Sequence, residues 1–74
     1  MQYQDGSEVR VGDRVQFING DTGSIVASFD RREFSSQYPE NEWGHETTGV
    51  LVRTDKGALV HVADQPGLLH RLIS

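Results

Sequence analysis

The sequence predicts an all-β fold, a small barrel of about five short antiparallel strands with one long loop over residues 30–48. Apolar and polar residues alternate in short runs, which is the period of strands with one face in a core. Clusters of Gly, Asn and Asp separate these runs, and such residues tolerate the φ angles of tight turns. The 74 residues are enough for a single domain, 1–74, with a small core.

Two strands are predicted before the long loop. Apolar residues occupy alternate positions in the first part of the chain, and the pattern places them on the core side: Val9, Val11, Val15 and Phe17. Residues 19–23 (Asn-Gly-Asp-Thr-Gly) supply a turn. A second strand is predicted over residues 24–29, with one apolar set facing the core. That set is Ile25, Ala27 and Phe29, and Val26 faces the other way.

Two more strands and a closing segment are predicted after the loop. Residues 49–53 and 58–62 have strand alternation, and residues 54–57 form a hairpin turn between them. Gly57 stands where such a turn needs a left-handed residue. Residues 68–73 fit either a closing strand or a short helix, and closure of a barrel favours the strand.

The loop over residues 30–48 has no strand period. A helical turn is expected after Pro39, because proline followed by Glu40 and Glu42 suits a helix N-terminus. A loop this long in a small domain is often functional. Its aromatic residues, Phe34, Tyr38 and Trp43, argue against simple disorder.

Composition excludes several classes of function. The chain has no cysteine, so disulfides, Cys-ligated zinc and a thiol nucleophile are ruled out. The first residues lack the basic and apolar regions of a signal peptide, and no apolar stretch reaches the roughly 18–20 residues of a membrane span. We therefore expect a cytoplasmic protein with no membrane partner. The formal charge of −4 repels nucleic acid over the molecule as a whole.

No catalytic, cofactor or metal site is expected. The histidines at positions 45, 61 and 70 have spacings that match no compact ligand motif. His61 stands between Val60 and Val62 in a predicted strand, so its side chain should face the other way. The glycine turn at 20–23 lacks the lysine of a phosphate-binding loop, and there is no nucleophile elbow.

A short motif runs through the first two strands: Val11-Gly12-Asp13-x-Val15, then Gly20, Gly23 and Ile25-Val26. It resembles the opening of KOW-type domains and covers residues 9–29. The resemblance implies an SH3-like barrel. Many KOW-type domains bind RNA, ribosomes or RNA polymerase, so it also implies an alternative function on a basic surface. The arginines for that surface are Arg10, Arg14 and Arg53.

Two further observations bear on this resemblance. Asp13 and Asp21 offset the charge of the first two arginines, which makes nucleic acid the less favoured partner. The second half of the chain, from Tyr38 to His61, resembles short bacterial proteins of no known function.

The leading hypothesis is a small non-enzymatic module that binds a protein through the 30–48 loop. Aromatic side chains would serve as apolar anchors and carboxylates would select a basic partner surface. The proposed residues are Tyr38, Glu40, Glu42, Trp43 and Glu46. An inhibitor or immunity-type role is one form of this hypothesis. The competing interpretation is that Trp43 packs over an open end of the barrel and that the carboxylates only solubilise the loop. An exposed edge strand would also allow a homodimer.

Overall fold

Six strands form one antiparallel sheet in the computed structural model, which describes residues 1–63 and 66–72. The elements in chain order are β1 (Arg14–Phe17), β2 (Thr22–Ser28), β3 (Glu33–Phe34), α1 (Glu40–Trp43), β4 (Val50–Thr54), β5 (Leu59–Val62), a 3₁₀ turn (Pro66–Leu68) and β6 (Leu69–Arg71). The strand order is β5-β4-β2-β1-β6, and β3 pairs with the second half of β2. The all-β prediction is confirmed. No helix within the described residues has the length or apolarity to cross a bilayer.

The β1–β2 hairpin follows the sequence prediction closely. Arg14 lies opposite Ser24, and Val15 is fully buried as its alternation predicted. Strand β2 begins two residues earlier than predicted, at Thr22. The expected core-side position of Val9 is also correct, since it has no exposed surface. Its segment, however, holds only an isolated bridge between Gln2 and Glu8 instead of a strand.

A bulge at Val26 corrects the predicted facing of β2. Ile25 lies opposite Val52, but Ala27 lies opposite Leu51, so β2 has one more residue than β4 between these pairs. An extra residue reverses the alternation of side chains beyond it. Ile25 and Ala27 therefore do not share a face, and each joins a different apolar cluster.

The sheet buries apolar side chains on both of its faces. The main core consists of Met1, Tyr3, Val9, Val15, Ile25, Val50, Val52, Val62 and Leu69. The second cluster consists of Ala27, Phe29 and Leu51, with Val26, Phe34, Tyr38 and Trp43 packed against it in partly buried positions. Residues 30–48 supply three of those side chains. This segment therefore covers the face that the main core leaves open.

The closing segment combines the two forms that the sequence left open. A 3₁₀ turn over Pro66–Leu68 leads directly into β6, which pairs with β1. Leu69 is buried opposite Phe17, which brings the last strand beside the first. The predicted segment extended to residue 73, which lies outside the described residues.

Candidate functional site

Residues 30–48, here called the cap segment, are tied to the sheet by backbone pairing. In β3, Phe34 lies opposite Ala27, and the Ser35 N–H donates to the Val26 carbonyl at 3.1 Å. The Tyr38 N–H then donates to the Ser35 carbonyl at 3.0 Å, which turns the chain back over the sheet. Sequence reasoning did not anticipate β3, because two residues are too few to show a period.

The expected helical turn after Pro39 is present as α1. Pro39 has an extended backbone and stands immediately before the helix, and the Gly44 N–H donates to the Glu40 carbonyl at its end. One turn holds Trp43 towards the sheet and leaves Glu40 and Glu42 exposed on the solvent side. The helix therefore presents the aromatic and acidic side chains on different sides.

Tyr38 and Trp43 form an edge-to-face pair whose ring centroids are 6.1 Å apart at an interplanar angle of 61°. Both side chains are half-buried against the second apolar cluster. They cover the part of the sheet face that Ala27, Phe29 and Leu51 form. Because the burial is partial, each ring also keeps some exposed surface.

Arg32 organises the cap segment. Its guanidinium donates to the Glu46 carbonyl at 2.8 Å, to the Gly44 carbonyl at 3.0 Å and to a Glu40 carboxylate oxygen at 2.8 Å. The guanidinium also lies 5.1 Å from the centre of the Phe34 ring. Arg32 has a positive φ of 55°, which is uncommon for a residue other than glycine. No local sequence signal distinguishes it from Arg31.

The three carboxylates proposed from the sequence have different surroundings. Glu40 is paired with Arg32 at 2.8 Å. Glu46 lies 3.5 Å from a ring nitrogen of His45 and 3.9 Å from one of His61, contacts that become ion pairs when the rings are protonated. The carboxylate of Glu42 makes no hydrogen bond or ion pair with any described residue, and only its backbone N–H is bonded, to the Pro39 carbonyl. Of the three, Glu42 is the carboxylate most available to a partner.

His61 supports the cap segment from the sheet. It lies opposite Leu51, on the face away from Val62, as the sequence predicted. Its ring meets the ring of Phe29 edge-on at 5.2 Å, and its Nε2 is 2.9 Å from the Thr48 carbonyl oxygen. These contacts give His61 a structural role under the end of the cap segment.

Negative charge is concentrated in the cap segment. Residues 30–48 contain five carboxylates and two arginines, a formal charge of −3 out of −4 for the whole chain. The positive and negative charges of the other residues nearly cancel. Two of the five carboxylates pair with cations outside the segment, Asp30 with the N-terminal ammonium and Glu33 with Arg10. The negative charge that an approaching partner meets there therefore comes mainly from the carboxylates of residues 40–46.

Two of the three arginines of the nucleic-acid alternative are held by carboxylates. Arg10 donates three hydrogen bonds to the Glu33 carboxylate, two from Nε at 3.0 Å and one from a terminal nitrogen at 2.6 Å. Arg14 makes a two-pronged contact with Asp55, each bond 2.8 Å long, and this contact holds the pKa of that carboxyl well below its usual range. Arg53 is exposed and forms no ion pair among the described residues.

The arginines do not form one surface. Arg14 and Arg53 flank Ser24 on neighbouring strands, so the structure brings these two to one face. Arg10 lies elsewhere, beside the Glu33 of β3. The three arginines of the proposed basic surface therefore lie in two separate places. Two of them, Arg10 and Arg14, are hydrogen-bonded to carboxylates.

A depression of about 440 Å³ lies at the other end of the sheet, beside Tyr3, Asp5, His70 and Arg71. The Tyr3 hydroxyl donates to Asp13 at 2.8 Å. Burial, together with this bond, raises the pKa of Tyr3 well above its usual range. The Tyr3 side chain lies in the main core, and its bond to Asp13 helps to hold the N-terminal residues there.

Comparison with family models, with curated proteins and with solved structures finds no match for this chain. Over residues 1–63 and 66–72, no group of three His, Asp or Glu side chains is arranged to hold a metal ion. The resemblance of residues 9–29 to KOW-type domains stays a prediction.

Proposed function

We propose that this protein is a non-enzymatic binding module that captures a protein partner with a basic surface through the cap segment. The observation that carries the proposal is that one segment holds both half-exposed aromatic rings and a carboxylate, that of Glu42, with no partner among the residues that the structure describes. The site consists of Tyr38, Glu40, Glu42, Trp43 and Glu46.

The aromatic pair suits the role of an apolar anchor. Tyr and Trp are enriched at binding hot spots because they bury a large area with few rotatable bonds. The edge-to-face contact already fixes the orientation of Tyr38 and Trp43, so binding loses little further side-chain entropy. A partner would cover the exposed part of both rings without disturbing their contact with the second cluster.

Charge selects the partner in this proposal. The carboxylates of residues 40–46 steer a basic surface towards the cap segment during encounter. Glu42 can then form a new ion pair without losing one, whereas Glu40 would have to leave Arg32. We therefore assign the greatest share of electrostatic selectivity to Glu42.

The decisive experiment compares two substitutions that remove one carboxylate each. Glu42→Gln changes the cap segment, and the matched control Asp21→Asn changes the β1–β2 turn on the same sheet. The parent chain and Asp21→Asn should capture the same proteins from a lysate of the producing cells. The amount captured by Glu42→Gln should fall about threefold to tenfold or to zero. Trp43, the only tryptophan, should report addition of a purified captured partner by a shift in its emission. Equal capture by all three chains, each shown to be folded, would remove the site assignment.

We also infer that the sheet is an SH3-like barrel, with an inhibitor or immunity-type role as one form of its binding function. The pairing of β1 with β6 supports this, because a small barrel needs its last strand beside its first. We also propose that the protein is located in the cytoplasm.

The alternative function is a KOW-like association with RNA, a ribosome or RNA polymerase. It is supported by the cross-strand placement of Arg14 and Arg53 around Ser24, and weakened by the carboxylates that hold Arg10 and Arg14. It requires RNA binding that falls steeply with salt and is reduced by Arg53→Gln. Absence of RNA binding at low salt in a filter assay eliminates it.

A further inference from the structure

Strand β5 is an edge of the sheet, and among the described residues only β4 pairs with it. The Thr54 N–H donates to the Ala58 carbonyl at 2.8 Å, which fixes the alternation of backbone groups along the hairpin. With Ala58 bonded inward, the N–H and C=O groups of Leu59 and His61 point away from β4. The edge therefore offers a short ladder of free donors and acceptors.

Exposed apolar side chains accompany these free backbone groups. Leu59 is 42% exposed and Val60 is 36% exposed. Within residues 1–63 and 66–72, one other large apolar side chain is exposed, that of Ile18 in the β1–β2 turn. Val60 lies opposite the fully buried Val52, so it faces the side of the main core. At the β5 edge, the apolar face on the main-core side is therefore only partly covered by other residues.

We propose that β5 pairs antiparallel with β5 of a second copy of this chain, about a two-fold axis at Val60. In that register Val60 meets the partner's Val60. The outward groups of Leu59 bond those of the partner's His61, and the symmetric bonds form at His61 and the partner's Leu59. Both exposed apolar side chains then become covered, one on each face of the joined sheet.

Charges on the face of the sheet opposite to Val60 favour this register. Arg53 lies opposite Leu59, so in the pair it stands two strands from the partner's His61, about 10 Å away at the usual strand spacing. Glu46 contacts His61 within each chain. Arg53 therefore comes within reach of the partner's Glu46, and symmetry repeats the pair.

The joined sheet would present both cap segments on one side, because the two-fold axis is perpendicular to the sheet. A four-residue edge buries little area, so we expect a weak, reversible dimer instead of an obligate one. This inference is independent of the partner proposed for the cap segment, and either can fail alone.

The test uses charge at the two-fold axis. Val60→Lys and Val60→Glu each place like charges opposite one another, which should weaken self-association about tenfold in sedimentation equilibrium over a concentration series. Mixing the two variants should restore a dimer, because lysine then meets glutamate. Ile18→Lys adds the same charge at a position away from the edge and should associate as the parent chain does.

Two results would overturn the inference. One is a parent chain that stays monomeric up to millimolar concentration. The other is association of Val60→Lys with the parent affinity, which places any dimer contact elsewhere. Circular dichroism of each variant separates lost association from lost folding. A mixture that fails to associate while both single variants are folded monomers rejects the two-fold register.

Discussion

At the scale of single residues, Gly49 shows how the cap segment is joined to the sheet. Its φ of 82° is in the left-handed region, and a Cβ atom at this position would overlap the carbonyl oxygen of Val62. Its N–H donates to an Asp30 carboxylate oxygen at 2.9 Å, and its carbonyl accepts from the Phe29 N–H at 2.9 Å. Only glycine satisfies the angle and the space together.

Substitution of this glycine separates crowding from backbone strain. Gly57 also has a positive φ, 92°, but a Cβ there would meet no atom within 4 Å. We expect Gly57→Ala to lower the free energy of unfolding by about 1 kcal/mol and Gly49→Ala by about 3 kcal/mol or more. Urea unfolding of both variants measures the difference. Equal losses would mean that the backbone at Gly49 can move away from β5.

At the scale of elements, the backbone pairing of β3 and the side chains that pack on the second cluster both hold the cap segment on the sheet. Trp43→Ala should therefore release this segment before it unfolds the sheet. We expect a loss of roughly 1–3 kcal/mol, below that of a fully buried aromatic, because Trp43 is only half-buried. Hydrogen exchange should accelerate at amides of residues 30–48 and stay slow in β1 and β2. Glu42→Ala, on the same helix but exposed, is the control; uniform acceleration through the sheet after Trp43→Ala would contradict local release.

The elements also show which parts of the fold could be predicted from the sequence. The β1–β2 and β4–β5 hairpins and the turn after Pro39 were predicted, because their signals are local: alternation, a glycine turn and a proline before acidic residues. The bulge at Val26 was not, since it depends on the register against β4 and leaves no mark in β2 itself.

Less of the candidate site than of the fold could be predicted from the sequence. Composition indicated the aromatic and acidic side chains of the cap segment. Their surroundings depend on how the segment folds back on itself. The bond of Arg32 to Glu40, eight positions later, and the carboxylate of Glu42, which has no partner among the described residues, are examples. The same limit applies to Asp55, which meets Arg14 across 41 positions.

At the scale of the whole molecule, ion pairs on the surface connect distant parts of the chain and couple its stability to pH. Asp55 accepts two hydrogen bonds from Arg14 and one from Thr22, which joins the β4–β5 turn to the first hairpin. These bonds, that of Arg14 first, hold the pKa of Asp55 below its ordinary value of 3.8. Arg10 lowers the pKa of Glu33 in the same way, between the N-terminal region and β3.

The sign of the pH effect follows from linkage. A carboxyl with a lower pKa in the folded state binds fewer protons than in the unfolded chain, so its stabilisation is complete above the unfolded pKa and is lost as pH falls through the folded pKa. Asp55→Asn should therefore unfold at a lower temperature than the parent chain at pH 7, and the gap should narrow as pH falls below about 4. Arg14→Gln should reproduce this narrowing, and the double variant should add little to either change, because both remove one interaction. Melting curves between pH 2 and pH 7 test this. A gap that stays constant over that range would mean that the Arg14–Asp55 pair does not contribute to the folded state, and that the two hairpins are joined by the sheet alone.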